Sequence, residues 1–303
     1  MRYVLYNPKS GNGAGKEKAE KVGEFYESET LTFRDITLVT DMKAFFASLS
    51  PDDQVVVCGG DGTLNHFAND VYGELPANEI TFYGTGSGND FLHDIGKQAG
   101  CAPVELKPYI AKLPTVTVNG MTRRFVNGVG YGIDGYCCEV ADKIRETKPN
   151  KTINYTGIAI KGLLFRYRPT TATVTVDGKE TVRHGVWLAP TMNGRYFGGG
   201  MMPTPAQDRL HNDTVSTLVM GGRGRLRTLI AFPTIFKGEH LKYTDMGGVY
   251  TGKHIKVAFD NPTALQIDGE TVLHVTEYTV DAPESRNATA PSAEKKEKEP
   301  VNV

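Results

Sequence analysis

Short apolar runs alternate with longer amphipathic stretches through the first third of the chain. The runs YVLY (3–6), DITLVT (35–40), DQVVVCGG (53–60) and ITFYGTG (80–86) predict four strands. The stretches KEKAEKVGEFYES, DMKAFFASL and TLNHFANDVYG lie between these strands and predict helices. Strands that alternate with helices are typical of a parallel sheet with right-handed crossovers.

The spacing of apolar residues changes to a period of two after about residue 105. β-branched residues alternate with polar ones in runs such as TVTVNGMTRRFVNGVG and TATVTVDGKETVRHGVWLAPT. The tetrapeptides VNGM and VDGK are typical hairpin turns, so these runs predict antiparallel strands. Two stretches interrupt the strand pattern and predict helices, at about 139–166 and in GRLRTLIAFPTIFKGEH.

Together the two patterns predict an α/β plus β architecture in two domains, which suits a chain of 303 residues. We expect an open parallel α/β domain over residues 1–104 and a mainly antiparallel β-sandwich over residues 105–283. The segment 284–303 contains no aromatic residue and is rich in Lys and Glu, so we expect a disordered, charged tail.

Charge and cysteine usage exclude several classes of protein. The net charge of −1 argues against a general nucleic-acid-binding protein. None of the four cysteines forms a C-x-x-C pair, which argues against a zinc knuckle or a disulfide framework. The first residues do not form a signal peptide, and no apolar run approaches the length of a membrane span. We therefore expect a cytoplasmic protein whose membrane contact, if any, is peripheral and on the inner face.

The stretch VVVCGGDGTLN (55–65) joins a buried strand to a helix through three glycines and one carboxylate. Ligands of α/β sheets bind at such strand ends, and amides at a helix start attract anions. Asp61 would repel a phosphate unless a divalent cation lay between them. A tight turn in which Asp61 caps the helix is an equally good interpretation of this stretch alone.

Two more Gly-rich loops follow predicted strands, NPKSGNGAGK (7–16) and GTGSGNDF (84–91). Because the carboxyl ends of parallel strands meet at one edge of a sheet, three such loops predict a shared binding site. SGNGAGK departs from the P-loop pattern, and GNGAG lacks the dinucleotide G-x-G-x-x-G spacing.

The three loops resemble those of the diacylglycerol kinase catalytic superfamily, especially its bacterial soluble lipid kinases. The motifs are N-P-x-S-G at Asn7–Gly11, G-G-D-G-T-x-N at Gly59–Asn65 and G-[ST]-G-N-D at Gly86–Asp90. The likeness continues through FVNGVGYGIDG (125–135), NGRYFGGGMMPTPAQDRLHND (193–213) and IDGE (267–270). NAD kinases and phosphofructokinases share G-G-D-G, but the other motifs separate this chain from both.

The resemblance implies that the first domain is a nucleotide-binding kinase domain with an ATP site at these loops. The implied ATP-site residues are Asn7, Pro8, Lys9, Ser10, Gly11, Thr40, Gly59, Gly60, Asp61, Gly62, Thr63, Leu64, Asn65 and Ser87. Asp61 is then expected to order the triphosphate with its Mg²⁺.

The same resemblance assigns catalytic roles at the end of the second domain. Glu270 matches the proton acceptor of the family, and Asp268 is expected to face the same way from an alternating strand, where it could orient the site or assist the metal. The alternative for DGE alone is a hairpin turn with a solvated acid. For His66, a solvated or capped helix histidine is the simpler interpretation.

A structural Mg²⁺ site is also implied by the resemblance. It would use the Asp213 carboxylate and the backbone carbonyls of Leu210 and Val215. The chain departs from the family here, because Thr214 stands where the family usually has glycine.

The function implied is an ATP- and Mg²⁺-dependent lipid kinase that phosphorylates the hydroxyl of a diacylglycerol-like or related lipid alcohol. Its expected partners are ATP and a lipid at the membrane surface, without nucleic acid, and a homodimer is compatible with the sequence. The basic, partly apolar segments 143–168 and RGRLRTLIAFPTIFK favour peripheral membrane contact, although core-facing helices with solvated basic faces explain them equally well. The alternatives are an NAD kinase-like enzyme and a nucleotide-sensing protein without turnover.

Overall fold

The computed structural model describes residues 1–86, 88–148, 153–222 and 224–283. Within these ranges the first sheet has five strands in the order β2-β1-β3-β4-β5. Their bounds are β1 Arg2–Tyr6, β2 Leu31–Asp35, β3 Gln54–Gly59, β4 Glu79–Gly84 and β5 Val104–Glu105. β1 to β4 pair in parallel, whereas the short edge strand β5 runs antiparallel to β4. The predicted open parallel α/β sheet is confirmed.

Helices connect and cover this sheet. They are α1 Gly15–Glu20, α2 Met42–Ala47, α3 Asp61–Asp70, α4 Asp90–Asp94 and α5 Lys107–Ile110. Residues from β3 and β4 pack with apolar residues of α2, α3, α4 and α5 in one core. That core also contains Leu113 and Val126, which lie beyond the predicted domain boundary at residue 104.

The second strand lies earlier than predicted. β2 is Leu31–Asp35, and the predicted strand DITLVT contributes a 3₁₀ turn at Ile36–Leu38 instead. The Asp35 carboxylate accepts hydrogen bonds from the amide and the hydroxyl of Thr37, which stabilises the turn. A local side-chain contact therefore overrides the β-branched composition of this stretch.

The second part of the chain forms an antiparallel sheet whose strand order is β7-β6-β15-β14-β8-β11-β12-β10-β9, with β13 paired to β12. The strands are β6 Thr115–Val118, β7 Met121–Arg124, β8 Gly128–Tyr131, β9 Thr170–Val176, β10 Lys179–Leu188, β11 Thr191–Met192, β12 Val215–Gly221, β13 Gly247–Gly252, β14 His254–Ile267 and β15 Glu270–Asp281. β9 also pairs with β14, so the sheet closes around a core of apolar residues from both faces. The predicted antiparallel β domain is confirmed.

Two-residue turns set the register of three hairpins. Both residues of each turn adopt positive φ. The angles are 48° and 75° in Asn119-Gly120, 49° and 83° in Asp177-Gly178, and 46° and 95° in Asp268-Gly269. Positive φ at both positions is the backbone requirement of the turn that Asn-Gly and Asp-Gly favour. The third turn matters for function because it joins β14 to β15 and carries Asp268.

In the described part of the second domain the α-helices are α6 Ile133–Thr147, α7 Tyr155–Lys161 and α8 Gly224–Ala231. A π-helical turn, Gly162–Arg166, continues α7, and a 3₁₀ helix, Phe232–Lys237, continues α8. Both predicted helical stretches are therefore present, although 149–152, in the middle of the first, lie outside the described residues. The predicted tail at 284–303 also lies outside them. No helix in the described ranges is long and apolar enough to cross a membrane.

Candidate active site between the two domains

The three Gly-rich loops lie together at the carboxyl edge of the first sheet. Asn7 Nδ2 donates to Thr63 Oγ1 at 2.8 Å, which joins the first loop to the start of α3. The Ser10 hydroxyl lies 2.8 Å from Thr85 Oγ1, which joins the same loop to the end of β4. The predicted convergence of these loops is thus present in the fold.

Glycine is required where the second and third loops cross. A Cβ atom on Gly86 would lie 2.5 Å from the Cα of Gly60, closer than two carbon atoms can approach. The two loops therefore cross backbone to backbone directly before α3, whose first amides are the part of the helix that attracts anions.

The other predicted nucleotide residues occupy less connected positions. Pro8 and Gly11 are half-buried, and Lys9 is exposed in the first loop. Thr40 is exposed just before Asp41, whose carboxylate caps α2, and it makes no hydrogen bond to the loops within the described ranges. Ser87 lies outside the described residues.

Asp61 begins α3 but does not cap its own helix. Its Oδ2 accepts from the amide of Asp90 at 3.0 Å, and its Oδ1 accepts from the amide of Phe91 at 2.9 Å. The alternative of a self-capping turn is therefore wrong, because Asp61 caps α4. Its Oδ1 also accepts from Asn127 Nδ2 at 3.0 Å, so this carboxylate contacts both domains.

Asp268 connects the domains still more closely. Its carboxylate accepts from Asn65 Nδ2 at 2.6 Å and from three consecutive backbone amides, those of 126, 127 and 128, at 2.5 to 2.9 Å. Burial raises the pKa of Asp268, and these backbone hydrogen bonds oppose that rise. Four donors occupy both oxygens, so this side chain is positioned to hold the cleft together.

The predicted setting of Asp268 on an alternating strand is wrong. The residue occupies the left-handed position of the turn between β14 and β15, with φ at 46°. Asp-Gly is a strong turn sequence, and this turn ends the alternation before Glu270. Both side chains nevertheless reach α3 of the first domain, Asp268 through Asn65 and Glu270 through His66.

Glu270 is paired on both oxygens. His66 Nε2 lies 2.5 Å from its Oε1, and Arg123 Nη1 pairs with its Oε2. The hydrogen bond from His66, together with Arg123, lowers the pKa of Glu270 to about 2 against the opposing effect of burial. Arg123 also donates to Asn65 Oδ1 at 3.0 Å, which links this cluster to Asp268. The alternative of a freely solvated acid in the turn is wrong.

Three buried carboxylates near the cleft have no predicted role. Asp90 accepts from the amides of Gly199 and Gly200 at 2.8 and 2.7 Å, and burial together with the Asp61 charge raises its pKa to about 7. Asp94 pairs with Arg195 and Arg209. Burial raises the pKa of Asp134 to about 6, and its Oδ2 has no hydrogen-bond partner among the described residues.

A sequence signal existed for part of this set. Asp90 ends the G-[ST]-G-N-D motif, and Asp134 lies in FVNGVGYGIDG, so both occur in stretches that carry the family resemblance. Their partners Arg195 and Arg209 lie in NGRYFGGGMMPTPAQDRLHND, which also carries the resemblance, but Arg123 does not stand in any of those motifs. Only the fold brings them to carboxylates that are far away along the chain.

The predicted metal residues lie on one short segment of the second domain. Asp213 is exposed, and Val215 is the first residue of β12. The carbonyl of the intervening Thr214 accepts from Gln207 Nε2 at 2.8 Å, which fixes the loop. The described residues contain no group of three or more acidic, His or Cys side chains suited to a metal. An ion here would depend on one carboxylate, the backbone carbonyls and water, which is a set of hard oxygen donors that Mg²⁺ accepts.

Comparison with known protein families agrees with the division into two parts. Residues 2–112 match the diacylglycerol kinase catalytic domain, and residues 127–285 match the YegS C-terminal NAD kinase beta sandwich-like domain. The first match contains the three Gly-rich loops, and the second contains Asp268 and Glu270.

Individual proteins resemble the chain over most of its length. It is 26% identical over 263 residues to a diacylglycerol kinase of Mycobacterium tuberculosis, with 80% of each chain covered. It is 27% identical over 287 residues to a diacylglycerol kinase of Bacillus subtilis, with 88% of each covered. A crystal structure of a diacylglycerol kinase from Bacillus anthracis superposes with a TM-score of 0.61 at 20% identity, covering 93% of this chain and 94% of that one. The chain belongs to the diacylglycerol kinase catalytic superfamily, in its bacterial soluble lipid kinase branch.

Proposed function

We propose that this protein transfers the γ-phosphoryl group of ATP to the hydroxyl of a diacylglycerol-like or related lipid alcohol. The observation that carries the proposal is the cleft between the domains at α3, a helix that begins at the Gly-rich loops and whose His66 pairs with Glu270 of the second domain. Such an arrangement provides a nucleotide site and, beside it, a pair of side chains that can handle the acceptor proton.

The nucleotide wall is proposed to hold the triphosphate at the first turn of α3. This helix has ten residues and begins directly after Gly60, which lies at the crossing with Gly86. Bound Mg²⁺ would neutralise charge on the β- and γ-phosphates. Asp61 suits a position beside that ion because Oδ2 accepts only one hydrogen bond among the described residues. Its remaining contacts fix α4 and Asn127 around the phosphates.

The lipid is proposed to approach over the helices of the second domain. Phe165 and Leu226 have 73% and 75% of their surface exposed, and exposed apolar side chains on neighbouring elements are typical of interaction sites. Arg225 donates to the carbonyl of Leu164, so α8 lies against the π-helical turn. Two cavities of about 380 and 570 Å³ open beside these elements.

We name the patch formed by Ile160, Lys161, Phe165, Arg166, Arg225 and Leu226 the basic–apolar surface. Apolar side chains among Lys and Arg suit the interface of a membrane that contains anionic lipids. Peripheral contact at the inner face of the membrane would bring the cleft to its lipid acceptor.

The first test is phosphoryl transfer itself. Wild-type protein is incubated with labelled ATP and a panel of lipid alcohols, NAD and sugar phosphates. We expect label in lipid, and transfer only to NAD or a sugar phosphate would contradict the proposal.

The role of Asp61 is tested by steady-state kinetics. Asp61→Ala removes the three hydrogen bonds that order α4 and Asn127, so kcat/KM for ATP should fall about 10²-fold, with an increase in KM. Exposed Asp52→Ala is the matched control and should retain wild-type kinetics.

The proposed structural Mg²⁺ at Asp213 is tested by thermal unfolding. Saturating Mg²⁺ should raise the wild-type melting temperature by about 5 °C, because the ion would bind only the folded chain. Asp213→Ala should lose that increase, and Asp52→Ala should keep it. Identical wild-type melting curves with and without Mg²⁺ would remove this site.

The membrane contact is tested by charge reversal on the basic–apolar surface. Lys161→Glu combined with Arg166→Glu should reduce binding to vesicles containing phosphatidylglycerol by about 10-fold or more, since each basic residue near an anionic surface contributes about 1 kcal/mol. Transfer to a water-soluble short-chain acceptor should be unchanged. The control, Lys179→Glu with Lys253→Glu, changes the charge equally at exposed positions on the β-sheet. Equal vesicle binding by both double variants would contradict the proposed surface.

A further inference from the structure

His66 and Glu270 form a side-chain pair across the two domains. Their contact is 2.5 Å between Nε2 and Oε1, and the side chains are 65% and 37% exposed. An Nε2–H donor toward the carboxylate leaves the lone pair of the neutral imidazole on Nδ1. Nδ1 of His66 is therefore the free basic atom of these two side chains, because both oxygens of Glu270 are engaged.

The position of His66 on α3 places its ring close to the nucleotide loop. Gly62 and His66 are both exposed and four residues apart, so they share one face of the helix, about 6 Å apart along its axis. Side chains on a helix lean toward its N-terminus. Here that end of the helix carries Asp61 and lies next to the crossing of Gly60 with Gly86. His66 therefore lies about one helical turn from the region proposed for the triphosphate.

Glu270 is a weak base in the arrangement observed. A carboxylate with a pKa of about 2 holds a proton poorly, and Arg123 and His66 occupy both of its oxygens. A histidine oriented by a carboxylate is an arrangement that recurs where a hydroxyl must be deprotonated near neutral pH.

Building on the proposed function, we propose that Nδ1 of His66 accepts the proton of the acceptor hydroxyl and that Glu270 is the positioning residue that orients the imidazole. Arg123 holds Glu270 from its other side. The resemblance assigns the role of proton acceptor to Glu270. In the arrangement proposed here, the neighbouring His66 has that role instead.

The proposed step moves one proton to His66 and one phosphoryl group to the acceptor. The acceptor O–H bond breaks and its proton passes to Nδ1, while the acceptor oxygen forms a bond to the γ-phosphorus. The bond from that phosphorus to the β–γ bridging oxygen breaks, and its electron pair leaves with ADP. His66 becomes an imidazolium whose charge the Glu270 carboxylate offsets, and it then releases the proton to water.

The pH dependence follows from the charged groups around His66. These groups are Glu270 on β15, Arg123 on β7 and Asp70 on the same helix as His66. Glu270 raises the pKa of His66 and Asp70 adds to that rise, whereas burial and Arg123 oppose it. Protonated His66 cannot accept a proton, so kcat/KM for the acceptor should fall as the pH drops through a value above about 6.5. A Glu270 base would leave the rate flat between pH 5 and 8.

The experiment measures kcat/KM for a lipid alcohol from pH 5 to 9 in wild type, His66→Gln and Glu270→Gln. We expect His66→Gln to lose about 10²–10⁴-fold in rate and to lose the acid limb, with ATP affinity unchanged by equilibrium titration. In Glu270→Gln the acid limb should move to lower pH, because the carboxylate that raises the pKa of His66 is gone. The control is His254→Gln, which breaks another exposed His–carboxylate pair, with Asp281, and should behave as wild type.

Two results would overturn the inference while leaving the proposed function intact. One is lipid phosphorylation by His66→Gln at the wild-type rate while Glu270→Gln is impaired. The other is a flat wild-type profile between pH 5 and 8. A wild-type protein that phosphorylates no lipid alcohol contradicts the proposed function itself, and that result is obtained before any variant is compared.

Discussion

The arrangement of the cleft depends on one carboxylate, Asp268, that receives hydrogen bonds from both domains. Asn65 on α3 donates to it from the first domain, and three successive amides before and within β8 donate from the second. A carboxylate taken partly out of water needs such donors, since its charge is otherwise costly to bury. The same contacts set the distance between α3, which starts at the glycine crossing, and the turn that presents Glu270.

Other carboxylates of the first domain also accept hydrogen bonds or ion pairs from the second domain along the contact between the two. Asp61, Asp90 and Asp94 each accept from residues of the second domain, through Asn127, the amides of 199 and 200, and two arginines respectively. The contact between the domains is thus polar and contains many directed hydrogen bonds, which fix orientation more strictly than apolar contact does. A site assembled in this way is ordered before any ligand binds, which favours phosphoryl transfer because that reaction depends chiefly on positioning and electrostatics.

The parts of this structure that local chemistry dictates were predictable from the sequence. Apolar runs followed by glycine located β1, β3 and β4, and Asn-Gly and Asp-Gly located the hairpin turns. DITLVT failed as a strand because the single carboxylate of Asp35 stabilises a turn, a contact that a β-branched composition conceals. The partners of Asp268 and Glu270 could not be predicted, since Asn65 and Asp268 are 203 residues apart and only the fold joins them. His66 appeared as a solvated helix residue for the same reason.

A double-mutant cycle on Asn65 and Asp268 tests most directly whether this carboxylate joins the domains. The free energy of unfolding is measured in urea for wild type, Asn65→Ala, Asp268→Asn and the double variant; Asn is chosen because it tolerates the left-handed backbone at this turn. The other side-chain hydrogen bonds of Asn65, to Arg123, Arg124 and Asn69, are common to both backgrounds and cancel. We expect Asn65→Ala to cost at least about 1 kcal/mol less in the Asp268→Asn background than in wild type. Equal costs in the two backgrounds would show that the two side chains act independently and would contradict the account.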